Sequence, residues 1–130
     1  MVNYGTEEQL KEQLLYKRIV KWTEDCLELE DGTKVFIEES EQDCCASAGG
    51  EFKDVKLDAV ITDVEFGEPE AIIGDDEDFG EYVMGNTVTI YHNQNPIAIA
   101  DCEADAGNGG YYYSVCSLVI KNVHYKVVEA

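Results

Sequence analysis

From Ile19 onward the apolar residues tend to recur at every second position, in short runs broken by Gly, Asp, Asn and Pro. That period belongs to strands that send alternate side chains into one core. The runs are Ile19 to Trp22, Cys26 to Glu30, Lys34 to Glu38, Leu57 to Phe66, Tyr82 to Tyr91, Ile97 to Glu103 and Tyr111 to Ile120, with Val123 to Val128 as a candidate edge strand. Asp31-Gly32 marks a hairpin turn, and a three-residue loop, Asp31-Gly32-Thr33, sets Leu29 opposite Val35 and Leu27 opposite Ile37. Between Glu39 and Gly50 acids, small residues and Gly49-Gly50 break the alternation, so this stretch reads as a loop. The last three long runs read as a meander, joined by turn residues at 92–96 and 105–110.

Only the N-terminus carries a helical signature. Thr6-Glu7-Glu8-Gln9 fits a capping box, Leu10 and Leu14 form an apolar stripe, and Lys17-Arg18 sit where the negative end of a helix dipole favours cations. The spacing predicts a helix over 7–17. The expected fold is α+β, mainly antiparallel β, with this helix packed on a meander sheet or a small sandwich or barrel. No repeat or linker divides residues 1–130, which read as a single domain.

Charge narrows the functional classes. The chain has 28 Asp and Glu against 9 Lys and Arg, a net charge of −19. Such a field repels nucleic acid and anionic membranes, so direct binding to either is not expected and a basic partner suits the surface better. The opening Met1-Val2-Asn3-Tyr4-Gly5 lacks a signal-peptide pattern, and the best apolar run, Val115 to Ile120, is far shorter than a membrane span. Five cysteines, an odd number in a chain with enough apolar residues for a core, fit reduced thiols in a cytosol.

Two stretches carry a resemblance: Glu41-Gln42-Asp43-Cys44-Cys45-Ala46-Ser47-Ala48-Gly49-Gly50-Glu51-Phe52 with Leu57 to Asp63, and Asn95-Pro96-Ile97-Ala98 running on to Ala104-Asp105-Ala106-Gly107-Asn108-Gly109-Gly110-Tyr111-Tyr112-Tyr113-Ser114-Val115. Over roughly residues 18–120 the chain resembles an uncharacterised family of small proteins encoded by bacteriophages of actinobacteria. That likeness implies a phage protein acting in the host cytoplasm, or one packaged in a virion. It implies no activity and no functional residues.

Catalytic signatures are wanting. No nucleophile can be placed beside a base, no carboxylate pair stands out among so many, and Gly107-Asn108-Gly109-Gly110 joins strand to strand rather than strand to helix, so it cannot cradle phosphate as a P-loop does. The chain is read as non-enzymatic and without a cofactor. Cys44, Cys45 and His92 are the candidate metal ligands, but adjacent cysteines rarely turn both sulfurs to one ion, and zinc binding stays an alternative. Cys102 and Cys116 fall opposite each other if a hairpin centres near Gly109, and read as inert core neighbours.

The acids offer the better candidate. Asp101, Glu103 and Asp105 fall on one face of a strand, with carboxylates repeating at roughly 6.6 Å, twice the ~3.3 Å rise. Each neighbouring pair repels by only about 0.6 kcal/mol in water, so a solvated strand can carry the line. Asp58, Asp63, Glu65 and the run Asp75, Asp76, Glu77, Asp78 and Glu81 could extend the field, and Tyr111, Tyr112 and Tyr113 supply interface aromatics. Together these residues suggest a partner-binding surface: an acidic ridge, of the kind that mimics DNA, set against a basic host protein. A virion or assembly role is the alternative.

Overall fold

The computed structural model describes residues 2–43, 46–74, 81–108 and 113–130. The chain runs α1 (Glu7–Leu14), β1 (Ile19–Thr23), β2 (Cys26–Leu29), β3 (Lys34–Gln42), β4 (Ser47–Lys53), β5 (Asp63–Phe66), β6 (Glu70–Gly74), β7 (Glu81–His92), β8 (Asn95–Asn108), β9 (Ser114–Ile120) and β10 (Val123–Glu129). The strands form two antiparallel sheets, one ordered β1-β2-β3-β9-β10 and the other β4-β8-β7-β5, with β6 sharing the outer edge of β7 with β5. Apolar faces of both sheets merge in one core that includes Leu10 and Leu14 of the helix, Leu27 and Ile37 of the first sheet, and Phe52, Ile90 and Ala100 of the second. Between them Asn86, 7% exposed, donates from Nδ2 to the Val127 carbonyl at 3.0 Å and so pins β7 to β10. The α+β, mainly β expectation holds, in its sandwich form and without a closed barrel.

Several local expectations give way to contacts from elsewhere in the chain. The helix ends at Leu14 rather than at residue 17, because Leu15 turns extended and Tyr16, at φ 70°, gives its N–H to the Ile61 carbonyl at 2.8 Å. The capping box is present, with Thr6 Oγ1 accepting from the Gln9 N–H and the Gln9 side chain accepting from the Thr6 N–H. Lys17 and Arg18 meet Asp31 and Glu30 at the β2–β3 turn instead of the helix dipole, at 3.0 and 4.0 Å.

That turn also corrects the hairpin register. Leu27 pairs with Val35, and the Leu29 N–H donates to the Thr33 carbonyl at 2.8 Å, so the loop is Glu30-Asp31-Gly32. The Asp31 carboxylate accepts from the Thr33 N–H at 3.0 Å while Gly32 takes φ 91°, a local turn whose loop starts one residue earlier than apolar matching alone suggests and so shifts the register by two. A shift of two leaves every side chain on its expected face, which is why Leu27, Leu29 and Val35 are buried all the same.

The stretch read as a loop between Glu39 and Gly50 is largely strand, β3 continuing to Gln42 and β4 starting at Ser47. Gly50 lies within β4 because a Cβ there would stand 2.3 Å from the Asp101 carbonyl oxygen of β8. Conversely, only Asp63–Phe66 of the expected 57–66 strand is strand. Residues 58–61 are spent on the edge of the first sheet, where the Asp58 N–H reaches the Ile19 carbonyl and the Ile61 N–H reaches that of Lys17. The meander breaks after β8, which runs on to Asn108, into the connector expected at 105–110, and the chain then enters the other sheet as β9. Val123 to Val128 does form the edge strand β10, and Asn3 to Gly5 bond alongside it, with the Gly5 N–H on the His124 carbonyl and the His124 N–H on that of Asn3.

Candidate functional site

Strand β8 is alternating in chemistry as well as geometry. Cys102, Ala104 and Ala106 are buried in the core, while Asp101, Glu103 and Asp105 point out of the second sheet. Because β8 is an interior strand, the acids stand within a sheet face rather than on its rim. Glu51 of β4 and Thr87 of β7 flank Asp101, Gly49 and Gly85 flank Glu103, and Ser47 and Val83 flank Asp105. Neither glycine sets a side chain opposite Glu103; the space over Gly49 is open, and the tip of Ile72 lies over Gly85. The resulting open trough, of about 630 Å³, is lined by Glu51, Asp101, Glu103 and Asp105 with the β4 backbone. Beyond Asp101 a second hollow of about 320 Å³ adds Glu68 and Glu70. Among the described residues, no Lys or Arg lines either hollow.

The three ridge carboxylates are not equivalent. Lys53, at the rim, places Nζ 2.9 Å from Asp101 Oδ2, and that hydrogen bond, followed by the charge attraction, raises the Lys53 pKa. Asp105 Oδ1 accepts from the Gly107 N–H at 2.7 Å, closing a local turn. Glu103 makes no hydrogen bond or ion pair among the described residues, leaving its charge turned to solvent. Asp63 and Glu65 belong to the edge strand β5 of the same sheet, whereas Asp58 sits at the β1 edge and does not extend this face.

Tyr113 does not line the trough. Its hydroxyl donates to Glu129 Oε1 at 3.2 Å and its N–H to Asp43 Oδ2 at 3.1 Å, both on first-sheet elements or their extensions. His92, read from the sequence as a turn residue, is the last residue of β7, with Nδ1 2.7 Å from the Val60 carbonyl oxygen. Among the described residues no group of three or more His, Cys, Asp or Glu is placed to hold a metal ion. Cys44, Cys45, Asp75, Asp76, Glu77, Asp78, Tyr111 and Tyr112 lie outside the described residues, and of Glu81 only the backbone, in β7, is described.

A second polar cluster, not foreseen, sits on the outer face of the first sheet. A β-bulge between Glu39 and Glu41 aims Ser40 across β9, where its hydroxyl donates to Ser117 Oγ at 2.6 Å and lies 2.7 Å from His124 Nδ1. Tyr4 covers the group, edge-on to His124 with ring centroids 6.2 Å apart, and donates its hydroxyl to Glu41. Burial, then the hydrogen bond to Glu41 and its negative charge, push the Tyr4 phenol well up. Lys126 stands 5.3 Å over the Tyr4 ring. A hydroxyl beside an imidazole is nucleophile chemistry in principle. Here Ser117 is fully buried and Tyr4 roofs the pair, so the cluster fastens the N-terminal segment to β3, β9 and β10. The sequence held one signal for it: Ser117 inside the apolar run 115–120, a hydroxyl that has to find a partner when buried.

No helix among the described residues is long and apolar enough to cross a membrane. No curated protein and no solved structure matches the chain. Residues 12–119 match a family described as a domain of unknown function, DUF7448, and the chain belongs to that family.

Proposed function

We propose that this domain is a non-enzymatic binding protein that sets the outer face of β4, β8 and β7 against a lysine- and arginine-rich surface of another protein. In the setting implied by the likeness to actinobacteriophage proteins, it is a phage accessory protein that occupies a nucleic-acid groove on a basic host protein. The observation that carries the reading is the position of Glu103. It stands between Gly49 and Gly85 with its charge unanswered among the described residues, in an open trough to which Glu51, Asp101 and Asp105 also contribute. Nothing stands over Gly49, so a long cationic side chain can lie alongside the carboxylates on the β4 side, while Ile72 lies over Gly85 on the β7 side. The net charge of −19 adds a long-range field that speeds encounter with a basic surface.

The test is capture of host proteins on the immobilised domain at about 0.05 and 0.5 M salt, where the Debye length falls below 5 Å, with Glu51→Lys/Glu103→Lys beside the parent chain. A basic protein should be retained at low salt, released at high salt, and lost or bound at least about tenfold more weakly by the double variant. Retention that ignores both salt and the substitutions would overturn the reading. Enrichment of the protein in purified virions would favour an assembly role instead.

A further inference from the structure

Strand β3 sends Val35 and Ile37 into the core and Lys34, Phe36 and Glu38 out of the first sheet. The outward side chains follow at roughly 6.6 Å, twice the strand rise, and set an aromatic ring between opposite charges. Phe36 is 37% exposed and stands opposite Cys26 on β2 and Val119 on β9. Tyr4 covers the far end of this face, at His124, while Lys21, Thr23, Lys34, Phe36 and Glu38 stay exposed. Charge on the exposed part differs from the rest of the surface. The chain carries −19, so two copies repel wherever acids face acids. Here Lys21 and Lys34 both stand opposite Glu28 of β2, two cations sharing one carboxylate. Glu38 stands opposite Ser117 of β9, with no cation across from it. Among the described residues, none of Lys21, Glu28, Lys34 and Glu38 takes part in an ion pair.

We propose that the outer face of β1 to β3 is the contact between two copies of this chain, related by a two-fold axis that passes over Phe36 at right angles to β3. Such an axis stacks the two β3 strands antiparallel and brings one Phe36 ring onto the other. Lys34 of each copy then lies over Glu38 of the other, so the same ion pair forms twice, the self-complementarity that a two-fold contact requires. The acidic troughs lie on the outer faces of the second sheets and stay open on the far sides of the pair. Salt acts on this contact in the opposite sense to the contact proposed for the trough. Burial of the rings is indifferent to screening, and ion pairs enclosed in a contact are screened little, whereas the mutual repulsion of two acidic chains is screened strongly. Dimerisation therefore tightens as salt rises, while capture of a basic protein by the trough weakens.

Sedimentation equilibrium of the full chain, up to about 200 μM and at about 0.05 and 0.5 M salt, reads the association directly. The expected result is a monomer–dimer equilibrium at least about threefold tighter at the higher salt. Phe36→Glu should be monomeric throughout. At the higher salt Lys34→Glu and Glu38→Lys should each weaken the dimer at least about tenfold, because each sets like charges face to face twice. The combined Lys34→Glu/Glu38→Lys variant should regain the dimer, since the exchanged charges meet again, and an equimolar mixture of the two single variants should form a mixed dimer. All of these substitutions are at exposed positions, so folding is kept. Glu51→Lys/Glu103→Lys should dimerise at least as well as the parent chain, so the trough and the dimer face can fail separately. A parent chain that stays monomeric, association that runs on past the dimer, or a combined variant no stronger than Lys34→Glu alone would overturn the proposal. So would a dimer that Phe36→Glu leaves intact.

Discussion

At the scale of single residues, steric fit separates glycines that composition treats alike. A Cβ on Gly50 would stand 2.3 Å from the Asp101 carbonyl oxygen and 2.9 Å from the Cys102 Cα, backbone atoms of a paired strand that cannot yield separately. At Gly85 the clash is with the tip of Ile72, a side chain 50% exposed and free to swing outward. Gly50→Ala should therefore cost about 2–3 kcal/mol in urea denaturation, and Gly85→Ala less than about 1 kcal/mol. Equal losses at the two positions would contradict the close approach of β4 to β8. Neither effect was legible in the sequence, where Gly49-Gly50 read as a break in structure. A glycine that ends a strand and one that lets another backbone come near are the same letter, and only the neighbour tells them apart.

At the scale of elements, the β2–β3 turn shows how local chemistry and tertiary pairing divide the work. Asp31-Gly32 was legible as a turn, but its loop was placed one residue late. The first hydrogen bonds to Asp31, from the Thr33 backbone, fix the loop from within, and Lys17 adds a cation from the end of the α1–β1 connection. Together they hold the Asp31 carboxyl below the usual carboxylate range. A carboxylate depressed on folding stabilises the native state fully above its unfolded pKa of about 3.9, and that contribution is lost as pH falls toward the lower folded value. The site is half-exposed, so solvent screening keeps the effect near or below about 1 kcal/mol. Asp31→Asn should lower the urea midpoint at pH 7, and the gap to the parent chain should narrow as pH falls below about 3.9. No difference at pH 7 would mean that the turn is held by the side-chain shape and not its charge. The helix end follows the same logic: its capping box was legible, but its stop is set by Ile61, a residue far along the chain.

At the scale of the whole molecule, the family match and the physical unit have different limits. The match covers residues 12–119, yet the core also needs Leu10 from the helix and Tyr125, Val127 and Val128 from β10, all buried. Removing β10 would open the edge of β9, a strand buried along its whole length, and leave Asn86 without its carbonyl partner. Each of those lost side chains is worth about 1.5–3 kcal/mol, which together compete with the 5–15 kcal/mol that holds an ordinary domain folded. A 12–119 fragment should lack a cooperative thermal transition and bind a dye for exposed apolar surface, while the full chain unfolds in one step. A cooperative fragment would show that β10 is an accessory and not part of the fold.

What the sequence by itself determined is local. The capping box at Thr6, the period of two, the outward line of Asp101, Glu103 and Asp105 and the inward line of Cys102 and its alanines all follow from backbone geometry and side-chain polarity within a few residues. Tertiary structure alone decided that β8 and β9 part into different sheets, that the ridge lies in a trough and not on an edge, and that Ser40 meets His124. Pairing between distant strands depends on which apolar faces cover each other, and alternation alone is satisfied equally well by many such pairings.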